Sequence, residues 1–231
     1  EAYLKNLIDQ LILPQQGYYN NTTNKGERSP GYVDFTNHGW SADMAVMAYG
    51  VYTGNDSFLQ HGIARFFAVL DGLIRSDGSH VAESQRGGAA LLYSIGSTAP
   101  LIRMAELASN QGYDLYEVEV NGVSLHDVIA FHMSVLEDNS LLLGYTQHLE
   151  GIFDTSFCEI KEQCDNWDNF VLSDDNESGF EYYTWHEYEA YRRRFPDSPL
   201  NERFLELFPS RVLVDEGPFI QSCEYRNVGD S

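Results

Sequence analysis

Two apolar, helix-periodic runs separated by three turn residues constrain this chain more than any other feature. Residues 39–53 (GWSADMAVMAYGVYT) and 57–74 (SFLQHGIARFFAVLDGLI) carry apolar side chains at helical spacing, with Gly54-Asn55-Asp56 between them. Two helices joined this tightly fold back on each other as an α-hairpin. Asp56 or Ser57 is the expected cap of the second helix, which should end near Ser76-Asp77-Gly78.

The same periodicity returns downstream. Residues 88–110 read as helix, with Pro100 marking a start or a kink inside it. Residues 124–137 read as helix, opened by a capping-box pattern at Ser124 and Asp127. Residues 181–194 and 200–208 are helical again, 140–179 are irregular and polar, and the tail from 210 is a short strand or coil. Repeated helical hairpins predict an all-α fold, an incomplete (α/α) toroid or barrel with long loops. At 231 residues, with 43 % hydrophobic content and no linker, the chain is long enough for one domain over 1–231. It opens on EAYLKNLIDQLILP, which reads as the end of a helix and has no initiator Met. The expectation is a processed or truncated product.

Fourteen Lys and Arg against 35 Asp and Glu leave a formal charge of −21. Nucleic acid and anionic membranes both require a basic face, so neither is an expected partner. No apolar run reaches the roughly 18 residues of a membrane span. If the ligand is a polyanion, the scarce cations must gather where it binds, and Arg86 and the run Arg192-Arg193-Arg194 are the candidates. The 15 Tyr, 13 Phe and 3 Trp suit stacking on sugar rings as well as filling a core.

Other features point to secretion. N-x-[ST] triplets, the acceptor pattern for N-glycosylation, occur at Asn20, Asn21, Asn55 and Asn176. Cys158 and Cys164 are six apart, close enough for a local disulfide in an oxidising compartment. A zinc site there lacks a second ligand pair. Cys223 is left over, as a free thiol or a bond to another chain.

Two short segments can carry chemistry. Asn37-His38 directly precedes the first helix, where free N–H donors and the positive dipole end favour a carboxylate; an ordinary cap, with Thr36 or Asn37 capping, is the commoner reading of the same residues. Further on, Arg86 and Tyr93 are seven apart. If helical, both emerge from one face, and an Arg beside a Tyr favours the phenolate and makes it a better base.

The run from Asn37 through Leu101 resembles the core of the alginate lyase family that acts on poly-mannuronate. That family has an Asn-His pair before a helix containing Trp or Tyr, then an E-x-x-R stretch about fifty residues later, with a Tyr seven beyond the Arg. Asn37, His38, Trp40, Glu83, Arg86 and Tyr93 occupy those places here, and Pro100-Leu101 matches a following Pro-Leu. The segment YYTWHEYEAYRR resembles the family's late W-x-E helix, with Trp185 and Glu187 in register. Ser94 stands where the family often has a His, and Gly87, Gly88 and Ala89 where it often has basic residues. The chain is shorter than the family's usual domain, and N-terminal helices that complete the toroid are expected to be missing or on a separate chain, with Cys223 as one possible link.

The resemblance implies a secreted lyase that cuts a 1,4-linked polyuronate by β-elimination, with no cofactor and no metal. Asn37, His38 and Arg86 would neutralise the uronate carboxylate, and Tyr93 would act as base and then acid. Trp40, Glu83, Trp185 and Arg192 would bind substrate. For an epimer with its C5 proton on the other face, His38 would be the base and Tyr93 the acid. A glucuronan lyase fits the same chemistry. A toroidal glycoside hydrolase would need a pair of carboxylates, with Asp43, Glu83 and Glu187 as candidates, and a non-catalytic glycan-binding module would lack the base.

Overall fold

The computed structural model describes residues 37–85, 90–138, 140–146 and 188–207. Their regular structure is helical, as the all-α class requires; beside the helices stand only two isolated antiparallel bridges, Ile74–His80 and Val120–Val123. Among the described residues no helix is long and apolar enough to cross a membrane.

Helices α1 (Asn37–Thr53) and α2 (Asp56–Gly72) form the expected hairpin. The cap of α2 is Asn55 rather than Asp56 or Ser57: its side-chain oxygen accepts from the Ser57 N–H at 3.0 Å. An Asn one residue earlier lets the connection close in fewer residues while still serving an orphan donor. The two helices approach closely at Gly62, where an added Cβ would lie 2.5 Å from the Met47 side chain. A short 3-10 turn follows at Glu83–Gln85, and then α3 (Ala90–Ser109). Pro100 lies inside α3, which runs through it rather than starting there. Helix α3 packs on α1, and both bury Trp40, Met47, Ile95, Leu101 and Ile102 in one core.

Helix α4 (Leu125–Glu137) has the predicted capping box: the Asp127 carboxylate accepts from the Ser124 N–H at 2.8 Å, and the Ser124 hydroxyl accepts from the Asp127 N–H at 3.4 Å. The stretch expected to be irregular from 140 instead begins with a helix, α5 (Ser140–Thr146), entered through Asp138, whose carboxylate accepts from the Ser140 N–H. Helix α6 spans 188–194, and α7 is Pro199–Leu207. Arg203 clamps α7 to α4 by donating to both carboxylate oxygens of Glu137, at 3.0 and 2.6 Å.

Candidate active site

The link from α2 to α3 brings the two sequence motifs together, and Arg75 organises it. Its guanidinium donates to the Ser79 hydroxyl, the His80 carbonyl and the Ser84 hydroxyl at 3.1, 2.9 and 2.8 Å, and to the Val81 carbonyl at 3.2 Å. The Tyr145 ring of α5 covers it at 4.1 Å, a cation–π contact, and the Tyr145 hydroxyl donates to Asp77. Loop carbonyls and hydroxyls thus all converge on one planar donor fork, which suits Arg and not Lys. Gly78 makes the turn possible at φ +88°, with the Asp127 carbonyl pressed against it.

This loop delivers Glu83 to the start of α1. The Glu83 side chain is buried, and its carboxylate accepts a hydrogen bond from the Asn37 N–H at 2.9 Å. An N–H of the first helical turn has no partner within the helix, and a carboxylate there also meets the positive dipole end. Glu83 therefore holds the protein together at this point. It is not on the surface to bind substrate, which corrects the role expected for it. The helix start does meet a carboxylate, and that carboxylate is the protein's own.

Asn37 and His38 both fall in the first turn of α1 rather than ahead of it. Asn37 is half-buried, and its side-chain oxygen is enclosed with no hydrogen-bond partner. Tyr93 sits in the first turn of α3, half-buried. Arg86 lies outside the described residues, and the helix face expected to be shared by Arg86 and Tyr93 lies outside them with it. Trp185, Glu187, Cys158, Cys164, Cys223, Asn20, Asn21 and Asn176 also lie outside the described residues. Asn55 is exposed.

Two other expected substrate contacts are corrected. Trp40 is 1 % exposed and stacks on the His80 ring at 5.1 Å, so no sugar can reach it. Its aromatic bulk fills the core between α1 and the loop. Arg192 donates to the Asn201 side-chain oxygen at 2.6 Å and to Glu189 at 3.0 Å. Its neighbours are engaged too: Arg193 pairs with Glu189, and Arg194 pairs with Asp114 and lies over the Tyr116 ring. The basic run is a structural knot on α6, because acidic partners are abundant in a chain of charge −21 and nearby carboxylates take up the cations first.

Behind the motif residues lies a buried polar stack that single-sequence reading missed. His80 is sandwiched between Trp40 and His132, the latter ring 5.6 Å away and nearly parallel. His80 Nε2 is 2.9 Å from the Thr98 hydroxyl, which donates to the Ser94 carbonyl at 3.0 Å. His132 Nδ1 is 2.5 Å from the Tyr188 hydroxyl. Burial holds both imidazoles neutral: His80 lies well below the usual histidine range, with the neighbouring His132 and Arg75 also disfavouring a second positive charge there, and His132 is pushed down to about 3. Burial likewise pushes the Tyr188 phenol up. Lone histidines in unrelated segments carry no spacing signal, so only tertiary contact reveals them.

Comparison with known proteins places this geometry. The family model described as Alginate lyase matches residues 8–141. A protein described as a polysaccharide lyase, from Stenotrophomonas maltophilia, is 41 % identical over 80 residues, covering 35 % of this chain and 24 % of that protein. The crystal structure of alginate lyase A1-III from Sphingomonas species A1 is similar at TM-score 0.59 and 22 % identity, over 86 % of this chain and 47 % of that one. A tyrosine-to-phenylalanine variant of alginate lyase A1-III complexed with tetrasaccharide is similar at TM-score 0.55 and 24 % identity, over 74 % of this chain and 42 % of that one. At these identities the solved structures speak for the fold alone. The chain spans about a quarter of the polysaccharide lyase and less than half of the solved lyases. The family match covers more than half of the chain and includes both motif segments, and the chain therefore belongs to the alginate lyase family.

Proposed function

We propose that this protein is a secreted polysaccharide lyase that cleaves a 1,4-linked polyuronate, poly-mannuronate before others, by β-elimination. The observation that carries the reading is the Glu83–Asn37 hydrogen bond. It draws the start of the E-x-x-R stretch onto the helix turn that bears Asn37 and His38, while Tyr93 sits on α3, which packs on α1.

In this reaction a base removes the C5 proton beside the uronate carboxylate. The C5–H electron pair becomes the C4–C5 double bond, the C4–O bond breaks, and the leaving oxygen takes up a proton. Negative charge builds on the carboxylate as C5 loses its proton, and groups that meet it there act where electrostatic stabilisation counts most. Asn37, His38 and Arg86 are assigned to that carboxylate. Tyr93 is assigned the proton transfers, as phenolate base and then phenol acid on one face of the sugar. Tyrosine and histidine are the residue types replaced in the variants of alginate lyase A1-III complexed with tetrasaccharide, in keeping with these assignments.

The hydrolase alternative is weaker on specific grounds. Asp43 is spent on Arg65 and His61, at 2.6 and 2.8 Å, and Glu83 is buried on a backbone N–H, so neither presents a carboxylate across a glycosidic bond. The test is incubation of the complete protein with poly-mannuronate, glucuronan and poly-guluronate, following the ultraviolet absorbance of the conjugated double bond. Rising absorbance with poly-mannuronate supports the proposal. Chain cleavage that yields only saturated ends would establish a hydrolase instead.

A further inference from the structure

We propose that His80 is a positioning residue that sets Tyr93 against the turn bearing Asn37 and His38. The proposal rests on the lyase reading above for its consequence in catalysis, and on geometry alone for the placement of Tyr93.

The segment that holds Tyr93 is poorly equipped to hold itself. Ser94, Gly96, Ser97 and Thr98 are all weak helix formers. Pro100 removes the N–H that would bond the Gly96 carbonyl. The Thr98 hydroxyl bends back onto the Ser94 carbonyl, one residue past Tyr93, a contact that competes with the helix's own bond there. Stability of this turn must therefore come from outside it.

His80 supplies that support. With the Thr98 hydroxyl hydrogen given to Ser94, the Thr98 oxygen accepts from His80 Nε2–H, which assigns the proton to Nε2. One face of the ring lies on Trp40, in the first turn of α1 beside Asn37 and His38. The other face lies on His132 of α4. The His80 backbone cannot drift, because its carbonyl accepts from Arg75 and it is bridged to Ile74. One buried side chain thus joins the first turn of α1, α3 at Thr98, whose hydroxyl reaches back to the residue after Tyr93, and the α4 core. No other described side chain touches Trp40 by ring stacking and Thr98 by hydrogen bond.

The experiment compares wild type, His80→Gln, Thr98→Val and the double variant. Glutamine retains an N–H donor but loses the stacking ring. The expected result is a tenfold to hundredfold fall in kcat with KM within about twofold, since displacement of a reacting group by about 1 Å has that scale of effect. The loss in the double variant should be no larger than in the worse single variant. A His80→Gln protein that keeps wild-type kcat, or losses that multiply in the double variant, would overturn the proposal. Tyrosine ring-carbon NMR of Tyr93, assigned with Tyr93→Phe, provides a readout independent of activity. The Tyr93 signal and its pH titration should shift in His80→Gln and in Thr98→Val. If wild type makes no unsaturated product, the lyase reading fails, yet this spectrum still decides the placement: an unchanged Tyr93 signal in both variants refutes it.

Discussion

The carboxylate of Glu83 accepts a hydrogen bond from the Asn37 N–H across 46 residues of sequence, fastening the loop after α2 to the first turn of α1. Removing the acceptor leaves a part-buried helix-start donor without that partner. Glu83→Ala is expected to cost about 1–3 kcal/mol and to lower kcat as the turn loosens. Glu83→Gln keeps an amide oxygen at the same place and should cost less on both counts. Urea unfolding and steady-state rates of the two variants check this; equal losses in both would show that the carboxylate charge, not the acceptor, matters.

Tyr93→Phe tests the chemistry more directly. The ring is half-buried and the substitution removes only the hydroxyl, so the fold should tolerate it. On the proposed mechanism kcat should fall by roughly 10²–10⁴-fold, with substrate binding largely retained. Full activity in this variant would remove Tyr93 from the mechanism.

Gly78 should resist substitution. Its φ of +88° is a conformation that side chains disfavour, and an added Cβ would lie 2.3 Å from the Asp127 carbonyl oxygen. Because the obstacle is backbone rather than a mobile side chain, Gly78→Ala is expected to cost about 2–4 kcal/mol, the sum of conformational strain and overpacking. Thermal unfolding measures it, and a melting temperature within about 2 °C of wild type, roughly 0.5–1 kcal/mol, would contradict it.

Acid sensitivity should appear above the range where carboxylates titrate. His80 is held well below the histidine range and His132 at about 3, both chiefly by burial, whereas in the unfolded chain each titrates near 6.5. Between those values the unfolded chain binds protons that the native state refuses. The stabilisation is therefore complete above about pH 6.5 and lost as pH falls toward the folded values, by up to about 1.4 kcal/mol per pH unit for each imidazole. Unfolding free energies at pH 7.5, 6.0 and 5.0 should decline, and His132→Phe should flatten the decline. A flat profile in wild type would show that these imidazoles are not buried neutral.

Arg192→Ala separates a structural arginine from a substrate-binding one. Its bond to Asn201 ties α6 to α7, and its bond to Glu189 braces α6, so stability should fall by about 1–3 kcal/mol. KM for a polyuronate should stay within about twofold. A large rise in KM with unchanged stability would restore the substrate role.

The sequence by itself determined most of the described helices, though not α5 or the cap residue of α2. Apolar period, the turn at Gly54-Asn55-Asp56 and the Ser124–Asp127 box are local properties, written into neighbouring residues and independent of what packs on them. It also determined the family, because the Asn37-His38 pair and the Glu83 to Tyr93 stretch lie at a spacing that a match to known sequences recognises. Only the tertiary structure decided what each of those residues does. Whether Trp40 meets a sugar or a histidine, whether Glu83 holds substrate or a backbone N–H, and whether Arg192 is free or paired depend on partners far away in sequence. Burial turned the first two inward, and an excess of nearby carboxylates claimed the third. The same contacts brought forward His80, which no spacing marks and which joins the two motifs through Trp40 and Thr98.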